Sequence, residues 1–296
     1  MTNADFLGGM YCALVTPLDE NGRVVESVAE KMLAELLGTG LDGTYIGGST
    51  GEGPLMAIDQ RIRLVDCIAT NMPADKKMIV HVGAAAAEDA IRLATHAAEV
   101  GAAAISSLPP AGEFSEVFAY YEMLADRSPL PLIVYYFPKV APTAFPAPGD
   151  LAKVCDLPNV VGVKFTDFNL FLLEDLTQRG KVVFNGYDEV LVAGRLMGAQ
   201  GGIGSTYNLM PHAMVALYRA TQAGNWQQAR EIQVHINRVI RTLMRYPWLP
   251  SIKAILRRQG FECGPTLNRE RLRDAAQEQA LFREFDEAMA GLQEYV

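Results

Sequence analysis

Eight short runs of apolar and β-branched residues alternate with longer stretches of helical spacing along most of this chain, and that alternation narrows the possible folds more than any other feature. Parallel strands are buried on both faces and read as near-continuous apolar runs, whereas the helices between them carry apolar residues three and four positions apart. The candidate strands are 10–16, 43–46, 78–82, 103–106, 132–136, 160–164, 182–185 and 201–204. Helical patterns fall between them, over 57–70, 87–100, 114–126 and 187–197. Eight strands, each followed by a helix, close into a (β/α)8 TIM barrel of the α/β class, and 296 residues suit one such barrel. After the last strand only helical patterns remain, over 211–223, 225–244, 251–259 and 269–293. The expected organisation is a barrel core over 1–210, with the last barrel helix and a C-terminal helical extension over 211–296.

Composition removes several partners. The net charge of −8 offers no basic stripe for phosphates, so neither nucleic acid nor an anionic membrane is expected to bind, and a small molecule is. No apolar stretch reaches the ~20 residues that a membrane-spanning helix needs. Residues 1–9 hold Asp5 and no Lys or Arg, unlike a secretory leader. Cys12, Cys67, Cys155 and Cys263 are scattered without a CxxC pair, which argues against a zinc site or a disulfide framework and fits a reducing cytoplasm. His81, His96, His212 and His235 show no metal-ligand spacing, so no metal is expected.

In a barrel of this kind chemistry gathers at the carboxyl ends of the strands. Lys164 closes the run Val160-Val161-Gly162-Val163, which carries its amine into an apolar mouth. Burial disfavours the ammonium and leaves free amine to attack a carbonyl. On this strand alone, that reading and a lysine salt-bridged to Asp167 stand level. Tyr135, one strand earlier, can bring a phenol to the amine and relay protons, but Tyr136 competes for the role, since alternation turns only one of them inward.

The loop Gly47-Gly48-Ser49-Thr50-Gly51-Glu52-Gly53 offers two hydroxyls and open backbone N–H groups before a helix, an arrangement suited to a carboxylate. It lacks the lysine of a nucleotide-binding P-loop, and its structural alternative is a capped glycine turn. Asp188 and Glu189, after Asn185-Gly186-Tyr187, suit hydrogen bonds from a polyhydroxylated substrate or the capping of a helix start. The glycines over 198–204 fall before and within a late strand, which reads as tight barrel packing with Ser205 left at the rim rather than as a dinucleotide fingerprint. Pro138, Pro142, Pro146 and Pro148 stiffen the connector after the fifth strand, which is expected to roof the site.

Together, GGSTGE over 47–52, YYFP over 135–138, KFT over 164–166 and NGYDE over 185–189 resemble the N-acetylneuraminate lyase and dihydrodipicolinate synthase superfamily, in order and over essentially the whole chain. The resemblance implies a class I aldolase that holds pyruvate as a Schiff base, without metal or cofactor. It implies that Lys164 forms the imine, that Tyr135 rather than Tyr136 relays protons, and that Ser49 and Thr50 hold the pyruvate carboxylate.

Within the superfamily the sialic-acid lyases are most similar, which implies Thr166, Gly186, Asp188, Glu189 and Ser205 along the sugar side of the pocket and reversible cleavage of N-acetylneuraminate to N-acetylmannosamine and pyruvate. Dihydrodipicolinate synthases usually carry an arginine soon after the tyrosine-x-x-proline motif, where this chain has Lys139, Val140 and Ala141. Many members also place aromatic residues after a proline pair that here reads Pro109-Pro110-Ala111-Gly112, so a cross-subunit tyrosine is not implied. Another sugar-derived 2-oxo acid is the alternative substrate, and a non-catalytic ligand-binding barrel the alternative class. The family is commonly tetrameric, which implies a homo-oligomer.

Overall fold

A computed structural model describes residues 5–147 and 149–295. Residues 1–4 of the leading segment read above for a secretory signal, Pro148 of the connector and residue 296 lie outside them. The strands are β1 (Gly9–Ala13), β2 (Gly43–Ile46), β3 (Lys77–His81), β4 (Ala104–Ser107), β5 (Leu132–Tyr136), β6 (Val160–Phe165), β7 (Val182–Asn185) and β8 (Gly201–Gly204). Each pairs parallel with the next in chain order, and β8 closes on β1. This is the expected TIM barrel. Helices α1 (Glu26–Gly38), α2 (Ile58–Thr70), α3 (Ala87–Glu99), α4 (Phe114–Arg127), α5 (Asp150–Cys155), α6 (Leu170–Gln178), α7 (Leu191–Leu196) and α8 (Pro211–Gln222) follow the strands in turn. The chain then continues in α9 (Trp226–Leu243), α10 (Trp248–Arg258) and α11 (Ala275–Met289).

Alternation along the strands sorts side chains into two cores. Tyr11, Tyr45, Ile79, Ile133, Tyr135, Phe184 and Ile203 fill the barrel, whereas Met10, Cys12, Ile46, Met78, Val80, Val134 and Val183 pack outward under the helices. Glycine lets β8 approach its neighbours closely: a Cβ on Gly201 would lie 1.8 Å from the Gly9 carbonyl oxygen. That bears out tight packing over the late glycine-rich segment.

Three local departures from the expected elements occur, two of them with an evident physical cause. The first strand was expected to reach Thr16, but the ladder ends at Ala13 although Leu14 and Val15 stay buried. Val15 N–H donates to Asn208 Oδ1 (3.1 Å) and Thr16 Oγ1 to the Gly51 carbonyl (2.6 Å), so side chains and a loop take over from the neighbouring strand. The 187–197 pattern divides into a short 3-10 turn, Asp188–Val190, and α7. The last helical pattern was expected from 269, yet α11 begins after Asp274, whose carboxylate accepts from Gln277 N–H at 2.8 Å as an N-cap.

Candidate active site

A bulge in the β5–β6 ladder aims the central amine. Leu132 pairs with Val160, but Ile133 pairs with Gly162, so Val161 is the extra residue. Val161 packs with the barrel interior, yet Val163 packs outward and Lys164 inward, because the alternation slips by one at the bulge. Gly162 permits this, since a Cβ there would meet the Val182 carbonyl oxygen at 2.4 Å. Beyond the bulge Tyr135 pairs directly with Lys164 and Tyr136 with Phe165. Tyr136 stacks outward on Phe165, with ring centroids 5.2 Å apart, and Tyr135 is therefore the inward phenol.

Lys164 is 5% exposed. Its Nζ lies 4.1 Å from the centre of the Tyr135 ring and 4.3 Å from that of Tyr45. Burial pulls its pKa down from 10.5 to about 7, against an opposing pull from the Asp188 carboxylate. Asp167 accepts from the Phe168 and Asn169 N–H groups, and the carboxylate that acts on Lys164 is Asp188 instead. The Tyr135 phenol is pushed up to about 12 by burial, while the nearby Ser49 and Thr166 hydroxyls pull the other way. Thr166 Oγ1 is buried without a well-formed hydrogen bond of its own.

The other expected residues fall at the same end of the barrel. Ser49 is exposed and Thr50 half-buried in the turn after β2. Gly186 crosses Thr166 so closely that a Cβ would lie 2.0 Å from Thr166 Oγ1, and its N–H donates to the Phe165 carbonyl at 2.8 Å. Asp188 is buried, and its Oδ2 accepts from Thr206 N–H (3.0 Å) and Thr206 Oγ1 (2.6 Å). With Glu189 it lies in the first turn of the 3-10 helix, where the dipole favours acidic residues, while its hydrogen bonds reach across to Thr206. Its Oδ1 is buried without a partner, and burial raises its pKa to about 6. Glu189 and Ser205 are half-buried at the rim; burial raises the Glu189 carboxyl above its ordinary value, with its own N–H and the Lys139 charge pulling the other way.

The connector after β5 divides its work. Phe137 stacks on Tyr135 and meets Tyr187 edge-on, whereas Phe145 packs on Tyr121 and Tyr136 outside the barrel, so Phe137 stands at the mouth and Phe145 does not.

Two sets of residues escaped the strand-end reading, and Thr206 fell within it without an assigned role. Tyr45 lies within β2, and its hydroxyl donates to Ser106 Oγ at 3.1 Å while its ring faces Lys164. Thr206, beside Ser205, holds Asp188. Gln233 and Asn237 of α9 donate to the carbonyls of Asp188 and Glu189, both at 2.9 Å, and so support the β7 turn from the extension. The sequence signal for Tyr45 was its place two residues before the glycine loop, on the inward phase of β2. Among the described residues, no group of three or more His, Cys, Asp or Glu is placed to hold a metal ion, and no helix is long and apolar enough to cross a membrane.

Residues 6–282 match the model of the dihydrodipicolinate synthetase family. An N-acetylneuraminate lyase of Rhizobium meliloti (strain 1021) is 40% identical over 265 residues, covering 88% of this chain and 88% of the relative. One from Escherichia coli (strain SE11) is 30% identical over 256 residues, covering 84% of this chain and 86% of that one. The solved N-acetylneuraminate lyase of Fusobacterium nucleatum complexed with pyruvate superposes with a TM-score of 0.88 at 25% identity, over 97% of this chain and 98% of that one.

Proposed function

The chain belongs to the dihydrodipicolinate synthetase family, and from that premise we propose that it is a class I aldolase that reversibly cleaves N-acetylneuraminate to N-acetylmannosamine and pyruvate. The observation that carries the reading is Lys164, an inward, buried amine whose pKa of about 7 leaves much of it neutral at physiological pH.

The free amine attacks the C2 carbonyl of the 2-oxo acid, and loss of water gives a protonated imine. Its positive nitrogen stays between the faces of Tyr45 and Tyr135, whose ring quadrupoles favour a cation. When the C3–C4 bond breaks, its electron pair moves toward that nitrogen and forms an enamine, while the C4 hydroxyl gives up its proton and becomes the aldehyde. The enamine is then protonated at C3, and water releases pyruvate. Tyr135, un-ionised at neutral pH, donates to the departing water and passes protons between the substrate carboxylate and the C4 oxygen. Ser49 and Thr50 hold the carboxylate, and Thr166, Gly186, Asp188, Glu189 and Ser205 face the polyol chain. No step requires a metal or cofactor. On this reading the barrel over 1–210 carries the chemistry and 211–296 supplies its last helix and the supporting extension.

Borohydride reduction in the presence of pyruvate is expected to add a stable mass to Lys164, with N-acetylneuraminate cleaved in a steady-state assay. Absence of the adduct would overturn the mechanism. A second substrate reading rests on Ala111, small and exposed where many members carry aromatic residues. Pyruvate release from another sugar-derived 2-oxo acid, with none from N-acetylneuraminate, would favour it. The proposed setting is the cytoplasm and the proposed assembly a homotetramer. Phe171 on α6 (81% exposed) and Leu196 at the end of α7 (63%) support further association.

A further inference from the structure

Outside the barrel mouth the chain buries a second lysine. Lys253, on α10, is 1% exposed, and its Nζ lies 2.7 Å from Oε1 of Glu52, itself 3% exposed. The ammonium also donates to the Pro265 carbonyl at 2.7 Å, and Glu52 Oε2 accepts from Leu267 N–H at 2.6 Å. Every one of Glu52's side-chain partners thus belongs to the C-terminal extension, while Glu52 itself sits in the turn that presents Ser49 and Thr50. A charge pair withdrawn from water gains little net stability over an apolar pair of similar volume. Its presence here therefore calls for a reason other than stability.

The turn supplies one. It folds back so tightly that a Cβ on Gly53 would lie 1.8 Å from the Gly47 carbonyl oxygen. Glu52 N–H donates to the Ser49 carbonyl at 3.2 Å and Gly53 N–H to the Gly48 carbonyl at 3.2 Å. Glu52 adopts a left-handed backbone, with φ of 58°, which an L side chain adopts at a cost. Such a conformation persists where its surroundings fix it, and the contacts that fix this side chain come from α10 and the loop after it.

We infer that Lys253 and Glu52 are positioning residues: the extension, through this one ion pair, sets the shape of the Ser49-Thr50 turn and so the affinity for the carboxylate of the 2-oxo acid. The inference rests on the proposed role of that turn. Carboxylate contacts persist from bound substrate to transition state, so loosening them raises the concentration needed for half-saturation and leaves the saturated rate nearly unchanged.

The test is borohydride trapping as a function of pyruvate concentration, with wild type, Glu52→Gln and Lys253→Arg run together and their melting temperatures recorded. Glu52→Gln keeps an acceptor for Leu267 N–H and removes the charge. It is expected to raise half-saturation by roughly ten- to a hundredfold, with the saturated trapping rate within about threefold of wild type. Lys253→Arg keeps the charge and is expected to stay close to wild type. A lowered melting temperature with unchanged half-saturation would show a merely structural pair and overturn the inference. A wild type that traps no pyruvate would instead overturn the reading of the site, and the inference with it.

Discussion

Lys164 and Lys253 are almost equally hidden from water, yet they stand in opposite electrostatic surroundings. Lys253 meets a carboxylate and a carbonyl, each at 2.7 Å. Lys164 has the faces of two tyrosines and a more distant carboxylate, Asp188. Burial lowers the pKa of both, but at Lys253 the Glu52 carboxylate works against it at contact distance. Burial alone therefore does not make a nucleophile. An amine becomes reactive where burial is left uncompensated, and becomes a fastening where it is matched.

The sharpest way to break this comparison is to replace each lysine by methionine. Lys164→Met is expected to abolish pyruvate trapping and cleavage while leaving the fold as stable or more stable, by about 0.5–2 kcal/mol, since it removes an unmatched amine. Lys253→Met should keep trapping at Lys164 and cost about 3–5 kcal/mol, because the Glu52 carboxylate is left buried without its partner. Urea unfolding of the two variants beside wild type reads both signs. Equal losses of stability would mean that the two sites do not differ in kind.

Tyr135→Phe is the next test, and it acts on the reactive lysine only. It keeps the ring face over Nζ and removes the proton relay, so kcat should fall about a hundredfold or more, equivalent to about 2.7 kcal/mol, with melting little changed. A kcat within a few-fold of wild type would place the relay elsewhere.

The reactive lysine was far more legible in the sequence than the fastening one. The runs 43–46, 132–136, 182–185 and 201–204 match their strands residue for residue, because parallel strands buried on both faces must be apolar throughout. Lys164 stood out as the polar end of such a run. Even so, plain alternation along β6 from Val161 would have turned it outward, and only the bulge turns it in. Gly162 was the available sign, as a glycine inside a strand marks a bulge or a close backbone approach. Lys253 gave no such sign. In a helix with apolar residues at three- and four-residue spacing, one lysine among Pro250, Ile252, Ala254 and Ile255 reads as part of the polar face. The buried carboxylate that accounts for it sits in the turn after β2, a pairing set by tertiary packing. Tyr45 lies between these cases: its inward phase was readable, and its contact with an amine four strands away was not.

The smallest expected effect concerns what tunes Lys164 within its apolar mouth. Burial lifts Asp188 from 3.8 to about 6 and drops Lys164 from 10.5 to about 7, while each charge favours the other. Below about pH 7 the amine is protonated and imine formation slows. Asp188→Asn removes an anion that stabilises the ammonium, so the Lys164 pKa should fall further and the acid limb of the trapping profile should move to lower pH. The asparagine carbonyl still accepts from Thr206, which keeps the turn in place. Stability carries an independent sign: a carboxyl whose native pKa is raised favours the fold below 3.8 and loses that contribution as pH rises through 6. The variant should therefore lack that fall in stability. Cyanoborohydride trapping of pyruvate from about pH 5 to about pH 9 follows the limb directly. A limb that stays put would mean that burial alone sets the amine, and one that moves toward higher pH would overturn the role of Asp188 in tuning it.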